Sequence, residues 1–133
     1  MSPVVIDTDV VSFLFKNDSR SQFYLPHLKD RQWLISFMTE AEPEQWALLS
    51  TWNSQRVNWL HIFLARFVTV PSSHDLVLKW AQVIVTSRRA GRRLETADAW
   101  IAATAVLYGA PLLTHNWNDY LGVKELDLIS ESL

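Results

Sequence analysis

The sequence predicts an α/β protein, a three-layer α/β/α sandwich around a central, mainly parallel sheet of four to five strands. Short apolar runs alternate along the chain with segments of helical period, which is the pattern of strand–helix units whose sheet is covered on both faces. The first run, Val4-Val5-Ile6, is β-branched and leads into a helical pattern with no hairpin turn between them, as a buried central strand does. No internal repeat, low-complexity stretch or linker interrupts the 133 residues, so residues 1–133 are read as one domain with one sizeable core.

The elements follow in order. Strands are expected at 4–6, 33–37, 67–70 and 111–115, with a weaker fifth at 126–130. Helices are expected at 9–17, 20–29, 39–53, 55–66, 73–90 and 96–109. Leu60, Phe63, Leu64 and Phe67 recur at i, i+3, i+4 and i+7, and Leu76, Trp80 and Val83 keep a similar spacing. Thr96 reads as the N-cap of the last helix, which Gly109 and Pro111 end. Near the start of the 39–53 helix two readings stand side by side. Thr39-x-x-Glu42 has the form of a capping box, whereas Pro43 at the first helical position would make Glu42 itself the cap.

Composition narrows the chemistry. The absence of cysteine excludes disulfides, thiolate metal ligands and a cysteine nucleophile. The N-terminus lacks the basic start and apolar core of a secretory signal, and no apolar run nears the ~20 residues that span a bilayer. A cytoplasmic protein is therefore expected. The formal charge of −2 offers no bulk attraction for a polyanion, yet neutralising four carboxylates would carry it from −2 to +2. His27, His61, His74 and His115 are scattered and form no ligand pair; only His115 lies near the acids that follow the strands.

Sites in open parallel sheets form beyond the carboxyl ends of the strands, and acids gather in that part of this sequence. Asp7 follows the first strand, Glu40 and Glu42 begin the helix after the second, Asp98 begins the helix before the fourth, and Asp119 follows the fourth. Taken singly, each has an ordinary reading. Asp98 suits the positive end of a helix dipole, Glu42 is half of a capping box, and Asn116 and Asp119 are common turn formers. Their shared placement carries the argument. Ile101, Ala102 and Ala105 lie on the face of Asp98, and small alanines let that face approach the sheet. Two carboxylates ~4 Å apart repel by on the order of 4 kcal/mol at an effective dielectric near 20. Such a cluster takes up protons or binds a hard cation, and Mg²⁺ or Mn²⁺ suits oxygen ligands.

The stretches "VVIDTDVVSFLF", Thr39-x-x-Glu42 and "ETADAWIAATAVLYGAPLLTHNWNDY", in that order and spacing, resemble PIN-domain proteins, and among them the VapC-type toxins of toxin–antitoxin pairs. The resemblance runs along nearly the whole chain and is most specific in "DAWIAATA" followed by "LLTHN". It implies a PIN-like sandwich and a Mg²⁺- or Mn²⁺-dependent endoribonuclease with Asp7, Glu42, Asp98 and Asp119 as the acidic site. Asp7 and Asp98 would be the foremost metal ligands, supported by Asp9, Thr114 and Asn116. It also implies a homodimer and a protein antitoxin. Asp9 stands where the family often has Asn, and Pro43 and Trp46 stand where it usually has Leu and Gly.

Two further features gain meaning beside that resemblance. Arg88, Arg89, Arg92 and Arg93 suit a solvated helix C-terminus, or hold an RNA backbone. Of the seven tryptophans, Trp33, Trp80 and Trp100 fit core positions, while Trp52, Trp59 and Trp117 are harder to place; core filling suits most of them, and some are candidates for a dimer or antitoxin groove. Two other readings compete. Asp7-x-Asp9 after an apolar strand also resembles the first motif of haloacid-dehalogenase-type phosphatases, with Asp7 as nucleophile. That reading leaves Glu42 and Asp98 unused and lacks a placeable phosphate-binding Lys. The other is a catalytically inactive PIN fold that survives as an interaction module.

Overall fold

β-Branched and leucine-rich runs form five short parallel strands, β1 (Ser2–Ile6), β2 (Arg31–Ser36), β3 (Val68–Val70), β4 (Leu112–Leu113) and β5 (Leu128–Ile129). The computed structural model describes residues 1–132; Leu133, the last residue of the expected domain, lies outside the described residues. The strands lie in the order β3-β2-β1-β4-β5, which puts the N-terminal strand at the centre. Val4 pairs with Trp33 on one side, and Val5 with Leu112 and Ile6 with Leu113 on the other.

Because strand side chains alternate between faces, the sheet feeds two separate cores. Val5, Leu34, Val70 and Leu112 enter one, covered by α5 (His74–Arg89) and α6 (Thr96–Leu107). Val4, Ile6, Ile35 and Leu113 enter the other, covered by α1 (Thr8–Lys16), α2 (Ser21–Leu28) and α4 (Ser54–Leu64). The three expected layers are present. α3 (Phe37–Leu49) follows β2 without a loop and touches β2, α1, α4 and α6, so it bridges the two helical layers beyond the carboxyl end of β2.

α6 sits close to the sheet because its inner positions Ala99, Ala102, Ala103 and Ala105 are small and fully buried. It ends as expected at Gly109, whose φ of +59° is the left-handed conformation glycine adopts at least cost. The Gly109 amide donates to Val106 O and the Ala110 amide to Ala105 O, closing a Schellman motif.

The structure corrects three local expectations. Glu95, not Thr96, is the N-cap of α6, and Thr96 is its first helical residue. α3 starts at Phe37, where Ser36 Oγ accepts from the Met38 amide; Thr39 and Glu42 therefore form no capping box, and Pro43 lies inside the helix. Trp33, Trp80 and Trp100 pack against the two cores but remain half-buried.

Gly122 is a tight packing point. A Cβ there would overlap Ser87 Oγ and lie 2.8 Å from Arg92 Cβ. Gly122→Ala should lower stability by about 1–3 kcal/mol, the usual cost of overpacking, as read from the urea midpoint. An unchanged midpoint would mean that the loop yields freely.

Candidate active site

Three strand ends and two helix starts converge on one cleft of about 320 Å³, lined by Asp7, Thr8, Asp9, Ser12, Phe13, Glu42, Trp46, Asp98, Asn116 and Asp119. Asp7 is the single residue between β1 and α1 and serves as the helix N-cap. Its Oδ1 accepts from the Thr8 amide at 2.7 Å. Its Oδ2 accepts from Thr114 Oγ1 at 2.7 Å and from the Tyr120 hydroxyl at 2.9 Å. Only 5% of Asp7 is exposed. Asp9, in the first turn of α1, accepts from the Val10 amide and, through Oδ2, from the amides of His115 at 3.0 Å and Asn116 at 3.1 Å. The loop after β4 thereby clasps both aspartates.

Glu42 reaches the cleft from α3. Its Oε1 accepts from Thr8 Oγ1 at 2.8 Å, and the Thr39 hydroxyl lies 2.9 Å from Thr8 Oγ1. With the Thr8 proton directed to Glu42, Thr39 donates to Thr8. The Thr39-x-x-Glu42 spacing therefore builds a relay to the neighbouring helix and not a cap. Asp98, in the first turn of α6, lies 3.3 Å from the Tyr120 hydroxyl, which stands within donating reach of Asp7 and Asp98 together. Asp119 and Tyr120 belong to a 3-10 turn over Trp117–Tyr120.

The electrostatics follow from this crowding. Burial, and after it the Asp9 charge, push the Asp7 carboxyl up to about 7, against the opposing bonds from Thr114, Tyr120 and Thr8. Burial raises Asp9 to about 6 although three backbone amides pull the other way. Asp98 also rises to about 6, first through burial and then through Asp7, Asp119 and Glu42. The Tyr120 hydroxyl is held neutral by burial and by Asp7 and Asp98 beside it, so it is a donor to carboxylates throughout the physiological range.

The donors on the cleft wall are all hard oxygens, which fits a divalent cation such as Mg²⁺ or Mn²⁺. Elevated carboxyl pKa values mark negative charge that such an ion would relieve. Among the described residues no three Asp, Glu or His side chains are already drawn together in metal-holding geometry.

Of the site residues read from sequence, Asp7, Asp9, Glu42, Asp98, Asn116 and Asp119 line the cleft, and Thr114 lies fully buried behind Asp7. Arg88, Arg92 and Arg93 line a different groove, about 540 Å³ with Trp80 and Glu95, which shares no lining residue with the acidic cleft; Arg89 lines neither. The His115 ring is turned to Tyr24, whose hydroxyl is 2.6 Å from Nδ1, and only its backbone serves the site. Thr8 and Tyr120 escaped the sequence reading. Their one signal was a hydroxyl adjacent to an acid, Thr8 between Asp7 and Asp9 and Tyr120 after Asp119.

A central parallel sheet with acids converging beyond its carboxyl end is the architecture of a PIN domain, and the PIN-domain family model matches residues 4–121. The chain belongs to the PIN-domain family. Its relatives include Ribonuclease VapC1 of Haemophilus influenzae, 24% identical over 124 residues that make up 92% of each chain. In structure it is similar to a chain of DNA-bound VapBC from Salmonella typhimurium, with a TM-score of 0.85, 19% identity and 98% of both chains covered. It is likewise similar to a chain of VapBC-1 from nontypeable Haemophilus influenzae, with a TM-score of 0.81, 23% identity and 96% of both chains covered. The family match displaces the dehalogenase-type phosphatase reading of Asp7-x-Asp9. Burial points the same way, since an Asp7 nucleophile would need an open carboxylate and this one holds three donors.

Proposed function

We propose that this protein is an endoribonuclease that hydrolyses RNA phosphodiester bonds at the acidic cleft with Mg²⁺ or Mn²⁺, acting as the toxin of a toxin–antitoxin pair. One observation carries the reading: in a PIN domain, five carboxylates line a single cleft, and three of them are raised toward neutrality by burial and mutual repulsion. The relatives' names, Ribonuclease VapC1 and VapBC, support the substrate class and the pairing. Asp7 and Asp98 would hold the cation, with Tyr120 and Thr114 fixing the carboxylate oxygens they present. When bound, the cation supplies positive charge for the scissile phosphate and lowers the pKa of the attacking water. Glu42, steadied by Thr8, and Asp119 orient that water, while the backbone amides after β4 hold Asp9 and with it the cleft's shape.

The test is cleavage of labelled single-stranded RNA with Mg²⁺, Mn²⁺ or chelator, in the parent and in Asp98→Asn. Metal-dependent cleavage lost in the variant supports the proposal. No cleavage of any RNA with either metal would return the chain to the inactive interaction module.

Glu42 has its own control. Gln at position 42 keeps an acceptor for Thr8, so Glu42→Gln should retain the parent urea midpoint and lose about 10–100-fold in activity, the scale of a perturbed ligand shell. Glu40 is exposed and lies off the cleft, so Glu40→Gln should match the parent in both. An active Glu42→Gln beside an inactive Glu40→Gln would reverse the assignment.

The partner proposals rest on surface. Leu48 and Leu49 are 80% and 75% exposed at the end of α3, with Trp59 and Ile62 exposed on α4. This is the surface assigned to a homodimer and an antitoxin. Among the described residues no helix is long and apolar enough to cross a membrane, and a cytoplasmic location is part of the proposal. Arg88, Arg89, Arg92 and Arg93 are proposed to contact phosphates at a distance from the cleft. Replacing Arg88 and Arg92 by Ala should flatten the salt dependence of RNA binding by roughly one to two units of slope. A slope equal to the parent's would remove them from the RNA path.

A further inference from the structure

Beyond the acids, the cleft opens into a second groove of about 450 Å³, lined by Ser12, Lys16, Trp46, Leu49, Ser50, Trp52 and Arg56. Ser12 and Trp46 line both spaces, so the two adjoin. The groove's chemistry inverts that of the cleft: it holds two cations and no carboxylate. Among the described residues neither Lys16 nor Arg56 forms an ion pair, whereas Arg20 is tied to Asp18 and Arg93 to Glu95.

The two tryptophans play different parts. Trp52 is half-buried and occupied, with Phe15 stacked on it at 5.9 Å and 14° between planes and the Arg56 guanidinium carbon 3.9 Å from its ring centroid. It is a seat that holds Arg56 in place. Trp46 makes no ring–ring pair among the described residues, and its one aromatic contact is Lys16 Nζ, 5.8 Å from the centroid. A half-buried indole with no ring partner, set where an acidic cleft meets a basic groove, is a surface for a flat heterocycle.

Asp9, Ser12 and Lys16 are at i, i+3 and i+7 on α1, hence on one face of the helix. Seven residues of helix rise span about 10 Å, a distance that neighbouring nucleotides of one strand can cover. We infer that the groove is the binding path of single-stranded RNA adjoining the cut: a base next to the scissile phosphate stacks on Trp46, and the flanking phosphates lie on Lys16 and Arg56. This rests on the ribonuclease reading and adds the residues that hold the strand beside the cut and the side from which it enters. RNA is favoured over a peptide because both cations lack an ion-pair partner among the described residues and border the acidic cleft, although Leu49 also belongs to the apolar surface assigned to an antitoxin, which the test below separates.

The probe is a fluorescent 12-nucleotide single-stranded RNA, and its fully paired duplex, bound to the full-length protein in chelator. The parent should bind the single strand in preference to the duplex. Lys16→Ala/Arg56→Ala should weaken single-strand binding at least tenfold and reduce its salt slope by roughly one to two units. Trp46→Leu should weaken it roughly tenfold and Trp46→Phe should restore most of the loss, since any aromatic face serves for stacking. In cleavage the loss should fall on KM more than on kcat. If Trp46→Phe is as weak as Trp46→Leu, Trp46 packs and does not stack, and that part is overturned. A parent that cuts RNA, with all three variants equal to it in affinity and slope, overturns the groove alone. Variants with parental RNA affinity that no longer bind the antitoxin proposed above would make the groove a protein contact, also against the proposal. A parent that neither binds nor cuts RNA overturns both this inference and the reading beneath it.

Discussion

Asp7→Asn is expected to remain folded and to lose RNA cleavage by on the order of 10³-fold or more, the scale of removing one preorganised electrostatic group from a site. Asn has the shape of Asp and can face the same hydroxyls, since Thr114 and Tyr120 can reorient to accept as well as donate. What it lacks is the charge. That charge costs stability in the metal-free protein, because the site is almost closed to water and Asp9 lies beside it. The variant should therefore be at least as stable as the parent at pH 8 in chelator. An inactive protein of equal or greater stability separates a functional carboxylate from a structural one, and full activity in Asp7→Asn would remove Asp7 from the chemistry.

The second large effect is a stability that falls with pH. Asp7 titrates near 3.8 when unfolded and near 7 when folded. Across that window the folded state binds more protons than the unfolded state, so unfolding free energy decreases as pH rises. The stabilisation from neutral Asp7 is complete below about pH 4 and is lost as pH passes through about 7. At 1.36 kcal/mol per unit, the parent should lose on the order of 2–4 kcal/mol relative to Asp7→Asn between pH 4 and pH 8 in chelator. Asp9 and Asp98 act in the same direction, with windows that close near pH 6. Added Mg²⁺ should restore the parent at pH 8 and leave the variant nearly unchanged. Parallel pH profiles for the two proteins would refute the buried-charge account.

The strands were legible because β-branched runs such as Val4-Val5-Ile6 have few other uses, and the helices because their apolar spacing is local. The acids were legible as a group because sheet topology dictates where strand ends meet. Helix starts were less so. Thr39 resembles a cap in isolation, but its hydroxyl meets Thr8, 31 residues earlier in the chain, and no local pattern reports such a contact. Tyr120 reads as one more aromatic until the 3-10 turn at Trp117 carries its hydroxyl to Asp7 and Asp98. Trp46 stood out only as a departure from the family pattern, and its meaning came from the groove it borders. Side chains whose roles depend on a neighbour far along the chain leave no periodic trace.

The central position of β1 has a consequence for the order in which a ribosome delivers the chain. Residues made earlier supply Asp7, Asp9 and Glu42, while β4, Thr114 and Tyr120, which extend the sheet on the other side of β1 and grip Asp7, are made later. A nascent chain that stops short of Leu112 leaves one edge of β1 unpaired and the aspartates without their clasp. Long-range pairing of this kind is also the slow part of folding. A cleft proposed to cut RNA is thus built from segments 107 residues apart in the chain, and it closes only after the later of the two has left the ribosome.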